Sequence, residues 1–431
     1  MRVVVLFWLV ISLGGCVLSH DLSVVEDDAE TAEDSDKGAM SEGTEDAAVD
    51  DKDEISDEAS ETEGDGKGDD ESGGGGTLRA KIDAASDSKR ALAKMFAVDE
   101  QCEFESVQSV TGAPADLRCT GLYKDLDKRT LGTRMFEYQP ASPLWSDGSE
   151  KHRYFHLPKG ELIDISDFAQ WRFPNGTKFF KDFRTTDGRL VETRMFFKKP
   201  DGRWGHATYQ WNEENTEAKI HLGGPVKGRE LAGFTYEIPT STHCNKCHDG
   251  NREHVLGFDA VALGLPSTEE GERRGLTLKQ LVEMDMLSSE PEMTELEIGD
   301  DGTGLAAPAL SFLHTNCGTS CHNETINAQA RDSKLWFALN PEELDGRDPV
   351  GFDAYTTTIG VPGKTDPGAG WTRLVPGDAD NSLIIRLMRM REEKGSMPPL
   401  GTKVVDTDHV DQVEAWVKAM PTDIIEPQTL Q

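Results

Sequence analysis

The chain has 431 residues, with 79 Asp and Glu against 45 Lys and Arg, a formal net charge of −34 at pH 7, and 36% hydrophobic residues. That length holds several packed domains, and the acidity excludes nucleic acid as an expected partner, because a phosphate backbone is bound by clustered Lys and Arg. Seven cysteines are too few for a disulfide scaffold of this size, so each needs its own account.

Met1-Arg2 precedes an apolar run from Val3 to Leu13, then Gly14-Gly15-Cys16. Residues 1–15 read as a signal peptide too short to remain in a bilayer as a spanning helix. The stretch Leu13-Gly14-Gly15-Cys16 resembles a bacterial lipobox, which implies cleavage before Cys16 and its lipidation, so that acyl chains tether the mature protein to a membrane. An ordinary secretion signal is the alternative. No later segment is apolar over a spanning length. The expected location is the bacterial cell envelope, lipid-anchored, on the periplasmic side or the outer-membrane surface.

Residues 16–76 form an acidic linker. Between Asp21 and Gly76 there are 23 acidic and 3 basic residues and no aromatic one; such a segment cannot bury enough apolar surface to fold and is expected to be a disordered stalk. As a flexible coil it would span roughly 40 Å, more with self-repulsion. Residues 77–133 read as a small helical or loop segment in which Cys102 and Cys119 flank a short loop. In an exported chain these two are expected to pair, adding about 3 kcal/mol in chain-entropy terms; two buried free thiols are the alternative.

Residues 134–240 have the texture of strands. Lys151 to His156, Thr177 to Phe183, Leu190 to Lys198 and Trp204 to Trp211 are aromatic and β-branched runs separated by Pro-Lys-Gly, Pro-Asn-Gly, Thr-Asp-Gly and Pro-Asp-Gly turns. This spacing predicts an antiparallel β-sandwich-like domain. No fixed-period repeat points to a propeller. His152, His156, His206 and His221 lack metal-ligand spacing, Asp147, Asp182 and Glu192 are not brought together by the sequence, and no nucleophile elbow, P-loop or dinucleotide fingerprint is present.

Residues 241–300 carry His243-Cys244-Asn245-Lys246-Cys247-His248. The order C-x-x-C-H is the attachment signature of c-type haem: on a helical turn Cys244 and Cys247 share a face and can form thioethers with the vinyl groups, and His248 can ligate iron. A zinc site or a disulfide is the alternative. The opposite axial ligand is open between His254, Met284, Met286, Met293 and His314.

Residues 301–431 contain a second, wider motif, Cys317-Gly318-Thr319-Ser320-Cys321-His322. On a helix, positions i and i+4 still share a face, so two thioethers remain possible; a local Cys317–Cys321 disulfide is the alternative. Leu383, Ile384, Leu387 and Met388 recur at helical spacing, Gly395-Ser396 breaks the run before Met397-Pro398-Pro399, and Asp406 or Thr407 can cap a last helix with apolar Val410, Val413, Trp416 and Val417. This order resembles the C-terminal part of a class I cytochrome c. The resemblance implies thioethers at Cys317 and Cys321, His322 as proximal ligand and Met397 as distal ligand, with a core-filling methionine as the other reading of Met397.

Pro143-Leu144-Trp145-Ser146-Asp147-Gly148, Trp211-Asn212-Glu213-Glu214, Val255-Leu256-Gly257-Phe258 and Leu313-His314-Thr315-Asn316-Cys317 together resemble a bacterial family of exported diheme c-type cytochromes, over roughly residues 138 to 420. The family has a β-rich N-terminal part, one C-x-x-C-H and a cytochrome c module. The resemblance implies a multidomain β plus α protein whose β-domain is followed by mainly helical haem modules, with two covalent haems c and iron ligated by His248, His322 and Met397. It narrows function to redox work; the favoured expectation is a non-catalytic carrier, with no catalytic residue assigned, that moves electrons between a redox protein donor and acceptor, and whether the chain is an enzyme is left open. A diheme peroxidase-like enzyme with an open first haem, and a surface polysaccharide-binding module with accessory haem, are the alternatives.

Overall fold

In the computed structural model the described residues are 87–96, 102, 111–222, 226–231, 234–238, 241–269, 273–364 and 367–424. All fall within one compact unit, Gly73–Gln431. The expected signal peptide, the lipid site Cys16 and the acidic linker lie outside the described residues. No described helix is long and apolar enough to cross a membrane.

Helix α1 (Asp87–Met95) comes first. Cys102 and Cys119 follow it and form a disulfide, as expected, with S–S 2.08 Å. A small antiparallel ribbon of β1 (Tyr123–Asp125) and β2 (Thr130–Leu131) leads into the main sheet. That sheet is a six-stranded antiparallel meander in chain order. Its strands are β3 (Met135–Tyr138), β4 (Glu150–His156), β5 (Lys178–Arg184), β6 (Leu190–Lys198), β7 (Trp204–Trp211) and β8 (Ala218–Ile220). The predicted turns join them, with Gly188 at φ +82° and Gly202 at φ +81° in the left-handed conformation that glycine adopts without a steric cost. A second ribbon, β9 (Val226–Leu231) with β10 (Phe234–Ile238), closes the strand region.

The strand spacing predicts a sandwich of two sheets; one meander is found instead, with its two faces covered by different parts of the chain. Tyr154, Phe180, Met195, Tyr209 and Trp211 on one face pack against Phe96, Leu117, Leu122 and Tyr123 from the preceding segment. Tyr138, Phe155 and Phe179 on the other face join a larger core with Phe258, Leu310, Phe312, Val413 and Trp416. Each face therefore carries an apolar patch, and non-strand material supplies the cover. Full burial of a Phe side chain adds about 1.5–3 kcal/mol, so each cover is a substantial share of stability.

The helices follow as α2 (Ser241–His248), α3 (Ala260–Gly264), α4 (Leu278–Glu283), α5 (Ala306–Leu313), α6 (Asp353–Thr356), α7 (Leu383–Arg389) and α8 (Thr407–Ala419). Thr277 and Gln280 cap α4 reciprocally. Of the two expected caps for α8, Asp406 is the one used, its side chain accepting from His409 N–H. Helix α5 packs on α8, and α7 packs on α8 as well. Asp301 Oδ2 anchors this group, accepting from Tyr355 Oη at 2.8 Å and from Trp416 Nε1 at 2.9 Å. The His409 ring stacks on Phe312 with centroids 4.7 Å apart. The segments expected at 134–240, 241–300 and 301–431 thus share a single apolar core.

Candidate functional site

Helix α2 ends at His248 and lies over the meander. The His248 ring stacks on Phe196 of β6, centroids 4.2 Å apart and planes within 15°. Phe196 in turn stacks on His206 of β7 at 5.6 Å. His248 Nδ1 donates to the His254 backbone carbonyl at 2.6 Å. A carbonyl can only accept, so Nδ1 holds the proton and the Nε2 lone pair is left for a metal. Burial, reinforced by the nearby Lys181 ammonium, drives the His248 pKa down to about 3, which keeps the ring neutral as ligation requires. Cys244 and Cys247 are half-buried on the same helix.

The second motif is built differently. Where the spacing predicts that Cys317 and Cys321 share a regular helical face, α5 widens instead into a π turn at His314–Gly318. Thr319 N–H donates to His314 O at 2.9 Å and His322 N–H to Cys317 O at 2.9 Å, both five residues apart. In the first motif the cysteine-to-histidine step is four residues on an α-helix; here it is five on a π turn. The extra residue is absorbed by the wider turn, and His322 keeps a direct backbone bond to the first cysteine. Gly318 is required, since a Cβ there would lie 2.4 Å from Ala338 N. The His322 ring meets Phe337 edge-on at 5.7 Å, its Nδ1 is buried without a partner of good geometry, and burial pushes its pKa down to about 4.

The two motifs meet. The Cys247 and Cys321 thiols act on one another, which lowers Cys321 to about 6 and raises Cys247 above the usual thiol range. Gly250 lies so close to the second motif that a Cβ on it would fall 1.7 Å from Ser320 O. Asn323 Nδ2 donates to Gly250 O at 3.1 Å and to Gly318 O at 2.7 Å. A cleft of about 630 Å3 opens beside this junction, lined by Gly250, His254, His314, Thr319 and Asn323 among others.

The five candidates for the second ligand of His248 have identifiable roles. His314 Nδ1 accepts from Leu339 N–H at 2.9 Å, so Nε2 carries the proton; it faces Asp259 at 3.7 Å and has no lone pair to give. His254 is engaged with Asp249 through Nδ1 at 3.1 Å. Met286 is buried in the main core, Met293 packs at its edge, and Met284 is 43% exposed. Met397 is half-buried and donates its backbone N–H to Leu387 O at 3.0 Å. No described contact joins it to His322.

Sequence reasoning missed Phe196 and the His254 carbonyl as the supports of His248. It also missed the clamp of Asn316, Trp145 and Asp147: Asn316 Oδ1 accepts from Trp145 N–H at 2.7 Å, and Asp147 Oδ1 accepts from Lys403 and Val404 N–H at 2.8 and 2.9 Å. The signal was present in the quoted Pro-Leu-Trp-Ser-Asp-Gly and Thr-Asn-Cys runs, but nothing local says that they touch. Among the described residues, no group of three or more His, Cys, Asp and Glu gathers to hold a metal ion. A zinc cage needs such a group. A haem iron takes four nitrogens from its porphyrin and only one or two ligands from the chain, so the donor set of paired thiols and a neutral, oriented imidazole fits that cofactor. Comparison with protein-family models, curated proteins and solved structures gave no match.

Proposed function

We propose that the protein is a lipid-anchored c-type cytochrome of the bacterial envelope that passes electrons through two covalently bound haems. The observation that carries this reading is the bridge of Asn323 between Gly250 O and Gly318 O, with Gly250 packed on the Ser320 backbone, which sets two candidate haem-attachment motifs, remote in sequence, side by side. A haem held at each motif supplies reversible one-electron chemistry. The chain's part is to fix each imidazole, to keep the two attachment points adjacent, and to surround both with protein. The finer fold assignment, a class I cytochrome c-like module at 301–431 with Met397 as a ligand, belongs to the same proposal and is supported by the order α5, α7, Met-Pro-Pro loop, α8. Donor and acceptor are redox proteins, and the membrane is reached through the lipid on Cys16.

Mass spectrometry with a pyridine haemochrome assay tests this. Two haem masses are expected, and Cys244→Ala/Cys247→Ala together should remove one of them. Stoichiometric zinc without haem, or a Cys247–Cys321 disulfide in haem-free protein, would overturn it. Cys16→Ser should release the protein from membranes. The cleft at the motif junction favours a second reading, a diheme peroxidase-like enzyme in which a small molecule reaches an open first haem. Cyanide that perturbs the optical spectrum of one centre supports the enzyme; an unchanged spectrum supports the carrier.

A further inference from the structure

The meander face turned toward α2 is arranged in cross-strand rows. Phe155, Phe179 and Phe196 are directly paired across β4, β5 and β6 and form one row; Arg153, Lys181 and Arg194 are paired in the same way and form the next. Directly paired residues share a face, so the cation row lies beside the aromatic row on which His248 is stacked. Arg194 is neutralised: its guanidinium donates to Glu192 at 2.5 and 3.0 Å and to Tyr236 Oη at 3.0 Å.

The other two cations are not neutralised. Arg153 is 2% exposed, and its Nη2 is buried with no hydrogen-bond partner. Among the described residues no ion pair joins Arg153 or Lys181 to a carboxylate; the exposed Glu269 acts on Arg153 only at longer range. The neighbouring Lys151, also buried, is satisfied only by a carbonyl, that of Leu144 at 2.5 Å. Burying a cation without an anion is costly, so Arg153, with the half-buried Lys181 beside it in the same register, leaves an unmet demand for negative charge. The demand sits beside the thiols, because Lys181 and Arg194 both act electrostatically on Cys244. From Arg194 the row runs away from them across two strand spacings, about 10 Å.

We infer that Arg153 and Lys181 are the seat for the carboxylate groups of the haem attached at Cys244 and Cys247. This rests on the function proposed above and gives the β-region a task, since the sheet then supplies charge compensation that α2 alone cannot. Arg153 offers the planar fork that binds a carboxylate through two parallel bonds, and Lys181 offers a point charge.

The experiment uses the holoprotein and its Arg153→Met, Arg153→Lys and Lys181→Gln variants. It reads haem content by mass, the propionate-bending band in resonance Raman, and the midpoint potential of each centre. Expected are two haems throughout, and in Arg153→Met and Lys181→Gln a shifted propionate band and a lower potential at the first centre only. Loss of a cation beside a carboxylate favours the ferric state, which sets that sign. Arg153→Lys should restore part of the potential. If Arg153→Met does not fold, Lys181→Gln, at the less deeply buried position, gives the same readout. An unchanged band at full haem content in the Met and Gln variants would refute the seat. Wild-type protein without haem on Cys244 and Cys247 would instead bring down the underlying function, and it is seen by mass before any variant is made.

Discussion

Asn316 holds Trp145 by the backbone: its Oδ1 accepts the Trp145 N–H at 2.7 Å while its Nδ2 donates to Pro143 O at 3.3 Å. The residue before Cys317 is thereby fixed to the loop that precedes β4. Asn316→Ala leaves the Trp145 amide without that acceptor, which costs about 1–3 kcal/mol. Thermal unfolding should show a lower midpoint, and Asn316→Asp, which keeps the acceptor, should recover more than half of the loss. An unaltered midpoint in the Ala variant would mean that water replaces the clamp.

Gly250 is the hinge of the junction between the motifs. A methyl group there meets the Ser320 backbone at 1.7 Å, so Gly250→Ala must push the motifs apart, and overpacking of that kind costs roughly 1–3 kcal/mol. Haem content should stay at two, while electron exchange between the centres, followed by stopped-flow reduction, should slow. Exchange at the wild-type rate would show that the junction does not set the path.

Lys178, on the meander face opposite α2, is 4% exposed. It donates to Thr120 O at 3.0 Å, and burial alone lowers its pKa to about 7. Between pH 7 and the unfolded value near 10.4 the native group is neutral and the unfolded one protonated, so unfolding takes up a proton and stability rises with pH, by up to about 1.4 kcal/mol per unit. Lys178→Met should reduce the slope of urea stability between pH 7.5 and 9.5. Lys181, shifted in the same direction by burial, keeps part of it. A slope identical to wild type would mean that Lys178 reaches solvent.

Met397 begins the loop between α7 and α8. A thioether ligand favours ferrous iron relative to a nitrogen ligand, so Met397→His should lower the midpoint potential of the second centre, and Met397→Ala should open that centre to exogenous ligands. The far-red absorption of a Met-to-ferric-iron charge transfer should be present in wild type and lost in both variants. Its absence from a two-haem wild type would assign the ligand elsewhere.

The sequence was most legible where the determinants are local. The Leu190–Lys198 and Trp204–Trp211 strands have their predicted bounds, because glycine turns and alternating aromatic residues mark them directly. The apolar stripe Val410, Val413, Trp416 and Val417 of α8 is buried as its spacing predicts. What stayed hidden depends on distance. The cover of each meander face comes from segments before and after it, the packing of Gly250 on Ser320 joins separate motifs, and the π turn is set by the packing of Gly318 against residues 337 and 338. The cation row was visible as Lys-x-Arg-x-Phe, Phe-x-Lys-x-Phe and Glu-x-Arg-x-Phe in three successive strands, yet only the register of the sheet shows that these positions align.

The main core has a further consequence, for the order in which the protein can assemble. It begins with Tyr138 on β3 and takes in Val410, Val413, Trp416 and Val417 on α8, so its members are drawn from both ends of the segment from residue 138 onward. The loop closures that bring those last residues onto the core cost entropy before their apolar contacts offset it. A chain stopped before Thr407 lacks the helix that covers Phe312 and Tyr355, and its unfinished apolar face stays open to water, to proteases and to other copies until the last helix arrives.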